Sequence, residues 1–200
     1  MTKANGAKGG GEAQAKTIFA DGLREHQQLC AVLEQQQQAF VQAVEILVTC
    51  LRAGGRVFFC GNGGSAADAQ HLAAEFEGRF EKERRPLAAL ALNTNTSSIT
   101  AIANDYGFEQ IYARMLTAHA RPGDVLVAIS TSGNSRNVLA AVAQAKSLGV
   151  RCVGMCGNAG ALSAQCDCTL AISSTRTARI QEGHILLGHL LCECVEKALC

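Results

Sequence analysis

Residues 56–78 read "RVFFCGNGGSAADAQHLAAEFEG". An apolar run (Arg56 to Cys60) meets a glycine-rich turn (Gly61 to Ser65) and then an alanine-rich stretch that predicts a helix over 66–79. Strands buried on both faces read as continuous apolar runs rather than alternating ones, so the stretch is a strand, a tight turn and a helix. Four more apolar segments repeat the pattern: "LAALAL" (87–92), "DVLVAIS" (124–130), "RCVGMC" (151–156) and "CTLAI" (168–172). Helix-length segments at 97–120 and 138–148 separate them, and the last link, "GNAGALSAQCD", has room for a short helix at most. Strand and helix in alternation predict an α/β fold with a parallel sheet between two helical layers.

Upstream, Thr17 to Ala53 is rich in Gln, Glu, Ala and Leu, with Leu29, Leu33, Phe40, Val44 and Leu47 or Val48 at near-helical spacing. It predicts one long or two consecutive amphipathic helices, stopped by "RAGG" at 52–55 because glycine supplies the left-handed cap. A closing helix is expected over 177–198. Residues 1–16, rich in Gly, Ala and Lys without an apolar core, read as a flexible tail, and 17–200 as a single domain.

The chain has 200 residues, 48% of them hydrophobic, and its 18 Lys and Arg nearly cancel 17 Asp and Glu. That balance, with no basic run, gives no footprint for nucleic acid. Apolar runs fall short of the roughly 18 residues that span a bilayer, so no membrane role is expected and a cytoplasmic location is the default. Ten cysteines without a secretion signal suggest buried thiols rather than disulfides. The pairs Cys166/Cys168 and Cys192/Cys194 lack the two-residue gap of a structural zinc site.

In such sheets ligands bind beyond the carboxyl ends of the strands, and two loops there have suitable chemistry. "GNGGS" (Gly61 to Ser65) permits close backbone approach, and Ser65 can cap the next helix or bond a ligand oxygen. "STSGNS" (Ser130 to Ser135) surrounds one glycine with Ser130, Thr131, Ser132 and Ser135 ahead of a helix N-terminus, a cradle for phosphate. Neither is a Walker loop or a dinucleotide fingerprint. The plain alternative is that Ser65 and Ser135 are ordinary N-caps.

His71 and Glu75, four residues apart, share a helix face, and Asp68 lies three residues before His71. By spacing alone they make a surface pair, or half of a site. The final helix carries Gln181, His184 and His189 among leucines, where a partly desolvated histidine would stay neutral and serve metal or proton transfer. Periodicity does not choose between His184 and His189.

Four pieces in order, "CGNGGSAADAQHLAAEF", "TAIANDYGFEQIYAR", "GDVLVAISTSGNSRNV" and "ARIQEGHILLGH", resemble the sugar-isomerase (SIS) domain family, and within it the phosphoheptose isomerases. The resemblance covers roughly residues 20–198. It implies a flavodoxin-like, doubly wound five-stranded parallel sheet with a long N-terminal helical segment. It also implies a homotetramer with sites at subunit interfaces, and an aldose–ketose isomerase that converts sedoheptulose 7-phosphate to D-glycero-D-manno-heptose 7-phosphate through a cis-enediol, toward the heptose of lipopolysaccharide core. By motif match it implies one zinc ion per subunit on His71, Glu75, Gln181 and His189. Asn62, Gly63, Gly64, Asn104, Asp105, Ser130, Thr131, Ser132, Ser135, Gln181 and Glu75 would contact the sugar phosphate, with Glu75 and His189 catalytic.

One departure is Gly183, where the family carries a larger apolar residue; a mid-helix glycine costs about 1 kcal/mol against alanine and predicts looser packing near Gln181. A rival reading is a non-catalytic tetrameric SIS scaffold that binds the replication initiator. That scaffold lacks counterparts of Glu75 and His189, and this chain has both.

Overall fold

A computed structural model of the chain describes residues 8–158 and 160–200. Two helices, α1 (Lys8–Leu33) and α2 (Gln37–Arg52), joined by a 3₁₀ turn, precede β1 (Val57–Gly61) and α3 (Gly64–Glu77). There follow β2 (Ala89–Ala91), α4 (Thr96–Tyr106), α5 (Ile111–His119), β3 (Val125–Ser130), α6 (Arg136–Ser147), β4 (Arg151–Gly157), α7 (Ala161–Gln165), β5 (Cys168–Ile172) and α8 (Thr177–Leu199). All five predicted strands are present, and the last link holds only the short α7.

The sheet order is β2-β1-β3-β4-β5 and every pairing is parallel. Successive strand residues face opposite layers. Val57, Phe59, Val125 and Val127 pack with α2, α3 and α8, whereas Phe58, Cys60, Leu126 and Ala128 pack with α5 and α6. β1 and β3 are wholly buried, which explains their unbroken apolar sequence. The chain winds outward in opposite directions from β1 and β3, so the crevice at their carboxyl ends is the topological switch point where ligands bind. It is flanked by the two loops singled out by composition.

Three expectations need correction. The first helix begins at Lys8 rather than Thr17. Ala, Glu and Lys are good helix formers, and a Lys16–Glu12 pair at 2.6 Å staples a turn of the predicted tail; its first seven residues lie outside the described ones. The segment 97–120 is two helices, because Gly107, at φ 89°, breaks it in a conformation that favours glycine. Gly183 does not loosen α8: it faces Ile172 of β5, where an added Cβ would come within 3.0 Å of Cδ1. The glycine lets α8 lie closer to the sheet.

All ten cysteines are free, and burial pushes the Cys156 thiol up to about 11. Among the described residues no helix is long and apolar enough to cross a membrane.

Candidate functional site

At the crevice the two loops are bolted together by a reciprocal amide pair. Asn62, just past β1, donates Nδ2 to Asn137 Oδ1 at 2.8 Å, and Asn137 Nδ2 donates to Asn62 Oδ1 at 2.8 Å. Asn137 is buried in the first turn of α6 and also accepts from the N–H of Val138 at 3.0 Å. The Tyr112 hydroxyl donates to the Gly61 carbonyl and lies 3.4 Å from Asn62 Oδ1. Sequence reasoning passed over Asn137 and Tyr112. An amide opening an otherwise apolar helix face, straight after a serine-rich loop, was the available signal.

The capping alternative for the serines is not realised. Ser135 occupies the N-cap position of α6 with extended backbone, yet its side chain caps nothing. Its hydroxyl lies 2.9 Å from that of Ser130, itself 4% exposed at the end of β3. Ser132 Oγ accepts from the N–H of Asn134 at 3.1 Å, across Gly133 at φ 66°. The loop is braced from β4, where the N–H of Gly157 donates to the Thr131 carbonyl at 3.1 Å. Ser65 is buried inside α3 without a side-chain cap bond, behind the exposed Gly63 and Gly64. The result is a hydroxyl-lined turn at the N-terminus of α6, suited to an anion.

The second group of residues lies between α3 and α8. His71 Nε2 is 2.8 Å from His189 Nε2 and 3.4 Å from Glu75 Oε1. One ligand-capable atom from each of the three lies within 4.8 Å of the others. Imidazole nitrogens and a carboxylate oxygen in one cluster are a donor set that suits zinc. His71 is exposed, and Glu75 and His189 are half-buried. The approach depends on Gly188, where an added Cβ would meet Leu72 Cδ2 at 2.7 Å. Without a side chain there, α8 lies close enough on α3 for the neighbouring His189 to reach His71.

His184 is separate from this cluster. It is fully buried, and burial pushes its pKa down to about 4 although the backbone of Cys156 opposes the shift. Asp68, one turn before His71, has Oδ2 buried without a partner; burial raises its pKa, and the nearby His71 opposes the shift.

Gln181 does not join the cluster within this chain. Its side chain lies against Gly64, where an added Cβ would sit 2.1 Å from Nε2. Eight residues separate it from His189 on α8, about 12 Å along the axis at 1.5 Å per residue. One chain therefore assembles three of the four expected ligands and directs Gln181 to the "GNGGS" turn. Asn104 and Asp105, at the exposed end of α4, bond to each other at 2.8 Å.

Comparison with known proteins adds independent findings. The SIS domain family model matches residues 23–157. The phosphoheptose isomerase of Rhodospirillum rubrum is 58% identical over 163 residues, covering 81% of this chain and 87% of that protein. That of Neisseria meningitidis is 49% identical over 185 residues, covering 90% and 92%. Among solved structures, phosphoheptose isomerase from Neisseria gonorrhoeae superposes with a TM-score of 0.87 at 42% identity, covering 92% of this chain and 99% of that one. The one from Francisella tularensis gives 0.88 at 36% identity, covering 92% and 98%.

Proposed function

The chain belongs to the SIS domain family, and we propose that it is a phosphoheptose isomerase, interconverting sedoheptulose 7-phosphate and D-glycero-D-manno-heptose 7-phosphate. The observation that carries this is the meeting of His71, Glu75 and His189 between α3 and α8, on the helix that leaves the ligand end of β1. The scaffold alternative is not supported: both acid–base residues are present and clustered, and relatives at up to 58% identity are named phosphoheptose isomerases.

In this reading the phosphate docks in the hydroxyl-lined turn Ser130 to Ser135, where the α6 N-terminus adds free N–H groups and partial positive charge. Asn62, Gly63 and Gly64 hold the sugar chain and Gln181 offers a bond to its hydroxyls, whereas Ser65 and Asp68 Oδ2 are buried behind that surface. Glu75 removes the proton from C1 of the ketose, protonation of the C2 carbonyl oxygen completes a cis-enediol, and Glu75, having exchanged its proton with solvent, delivers a proton to C2. His189 gives a proton to O2 as the enediol forms and takes the proton from O1 as the aldose carbonyl forms, so the aldose appears with no net change in atoms. Glu75 Oε1 faces His71, which leaves Oε2 as the atom to take the proton.

His71, Glu75 and His189 would hold a zinc ion, one per subunit, which when bound polarises the substrate oxygens and stabilises developing negative charge. A homotetramer with the sites at its interfaces belongs to the same proposal. What supports it is that α4 buries none of its residues and that Ile18, Phe19, Leu23, Tyr106 and Phe108 are exposed. A neighbouring copy seated there would bring Asn104 and Asp105 of α4 toward a site that one chain leaves incomplete. We place the enzyme in the cytoplasm, supplying heptose for lipopolysaccharide core.

Turnover in heavy water tests the proton path. Enediol chemistry with Glu75 exchanging against solvent places deuterium at C2 of the aldose and C1 of the ketose; a parent enzyme that equilibrates the two sugars with no solvent deuterium, while a Glu75→Gln variant does the same, contradicts it.

A further inference from the structure

A buried carboxylate near the end of α8 ties down the segment that follows α3. Glu196, 2% exposed, accepts from the N–H groups of Phe80 (3.0 Å), Glu81 (2.9 Å) and Lys82 (2.8 Å), and from Arg84 Nε at 3.0 Å. The Arg84 side chain is 3% exposed. It donates Nη2 to the Glu75 carbonyl at 2.7 Å and Nη1 to the carbonyls of Phe76 (2.9 Å), Gly78 (3.2 Å) and Arg85 (3.1 Å). The last carbonyls of a helix have no partner within it, and here the guanidinium takes those of α3, beginning with the peptide of Glu75 itself.

Burying an ion pair carries a desolvation cost that apolar residues of the same volume would avoid, and its best-supported use is to select one arrangement. The arrangement selected is next to the His71–Glu75–His189 cluster. Glu196 lies seven residues, two helical turns, beyond His189 and on the same face of α8. Phe80, whose N–H Glu196 holds, puts its ring 5.8 Å from that of His189. A single carboxylate thus fixes α3 at Glu75 through Arg84 and sets the ring that packs on His189.

We infer that Glu196 and Arg84 are positioning residues of this site: they hold Glu75 and His189 at the separation at which both can serve one ion and one substrate. Neither contacts substrate. The inference deepens the isomerase reading and rests on it for its kinetic consequence, whereas its consequence for zinc affinity stands apart from turnover.

The test uses the full-length, zinc-loaded protein as Glu196→Gln, Glu196→Asp and Arg84→Lys variants, each with thermal melting and oligomeric state as controls for folding. Zinc affinity is read by competition with a chromophoric chelator, and kcat and KM are read separately. Removal of an outer partner of a metal site typically costs about 10- to 100-fold in affinity or activity. Glu196→Gln is expected to weaken zinc and lower kcat by that range with KM little changed, because the phosphate turn lies on another loop. Glu196→Asp, which keeps the charge, is expected to recover part of the loss. Arg84→Lys keeps the charge but lacks the fork that spans Glu196 and the Glu75 carbonyl, and is expected to follow Glu196→Gln in milder form. Folded Glu196→Gln and Arg84→Lys proteins with parental zinc affinity and kcat would overturn the inference. If Glu196→Gln does not fold, Arg84→Lys decides on the same readouts. A parent protein without turnover would overturn the isomerase reading alone, and the zinc comparison would still decide the role of the pair.

Discussion

His71 Nε2 on α3 and His189 Nε2 on α8, 118 residues apart in the chain, lie 2.8 Å from each other. The contact is set one residue earlier on α8, where Gly188 lets Leu72 pack directly against helix backbone. Gly188→Ala would place a methyl group 2.7 Å from Leu72 Cδ2, so α8 must move away. Overpacking of this kind costs about 1–3 kcal/mol. The expected outcome is a lower melting temperature and, in the folded fraction, zinc bound much more weakly than in the parent. Metal content by mass spectrometry, before and after dialysis against a chelator, measures it; unchanged zinc retention would separate the helix approach from the metal site.

Glu75→Gln is isosteric and leaves the backbone bond between Glu75 and Arg84 in place. The fold and phosphate binding are expected to survive, and kcat to fall by about 10²- to 10⁴-fold, the range for removal of a general base. Titration with inorganic phosphate, run beside the kinetics, distinguishes a lost base from a lost site. A variant that isomerises at near the parental rate shows that another group takes the proton.

Gly64→Ala addresses Gln181. A Cβ at residue 64 would overlap Gln181 Nε2 at 2.1 Å and Cδ at 2.7 Å. Because the overlapped atoms are the free end of a long side chain, Gln181 turns away at small cost to stability. A rise in KM with a melting temperature close to the parent's is expected. Parental kinetics in Gly64→Ala would show that the position of Gln181 against the "GNGGS" turn has no part in binding the sugar.

The acid sensitivity of the fold should involve His184. Its folded pKa, about 4, lies below the ordinary 6.5 because burial disfavours the imidazolium. Above pH 6.5 the imidazole is neutral in both folded and unfolded chains and contributes no pH dependence. As pH falls from 6.5 toward 4 the unfolded chain takes up a proton that the folded one refuses, so stability drops through that window. His184→Leu removes this slope together with the buried titratable ring. Melting at pH 5 and pH 7.5 should show a smaller difference for the variant than for the parent; equal differences would place the acid sensitivity elsewhere.

The sheet was legible because β1 and β3, which border the switch point, are buried on both faces and so read as the apolar runs "RVFFC" and "DVLVAIS". The serine loop was legible from its hydroxyls. Other features depend on contacts that no local pattern encodes. Asn62 meets Asn137 across 75 residues, and the choice of His189 over His184 turns on which side of α8 faces α3. Spacing alone left His71 and Glu75 open between a surface pair and half of a site, and Gly188 brings them a third partner. The break in 97–120 depends on the positive φ of Gly107 in "DYGFEQ", and the place of Gln181 on how α3 and α8 run alongside each other. The Arg84–Glu196 pair closes between a loop and the final helix, 112 residues apart.

The most direct measurement is to incubate the purified, zinc-loaded protein with sedoheptulose 7-phosphate and follow the anomeric region by NMR. The account predicts growth of aldose signals for D-glycero-D-manno-heptose 7-phosphate until the two sugars reach equilibrium, and their absence with Glu75→Gln over the same time. A folded, zinc-loaded parent that leaves the ketose unchanged would contradict it.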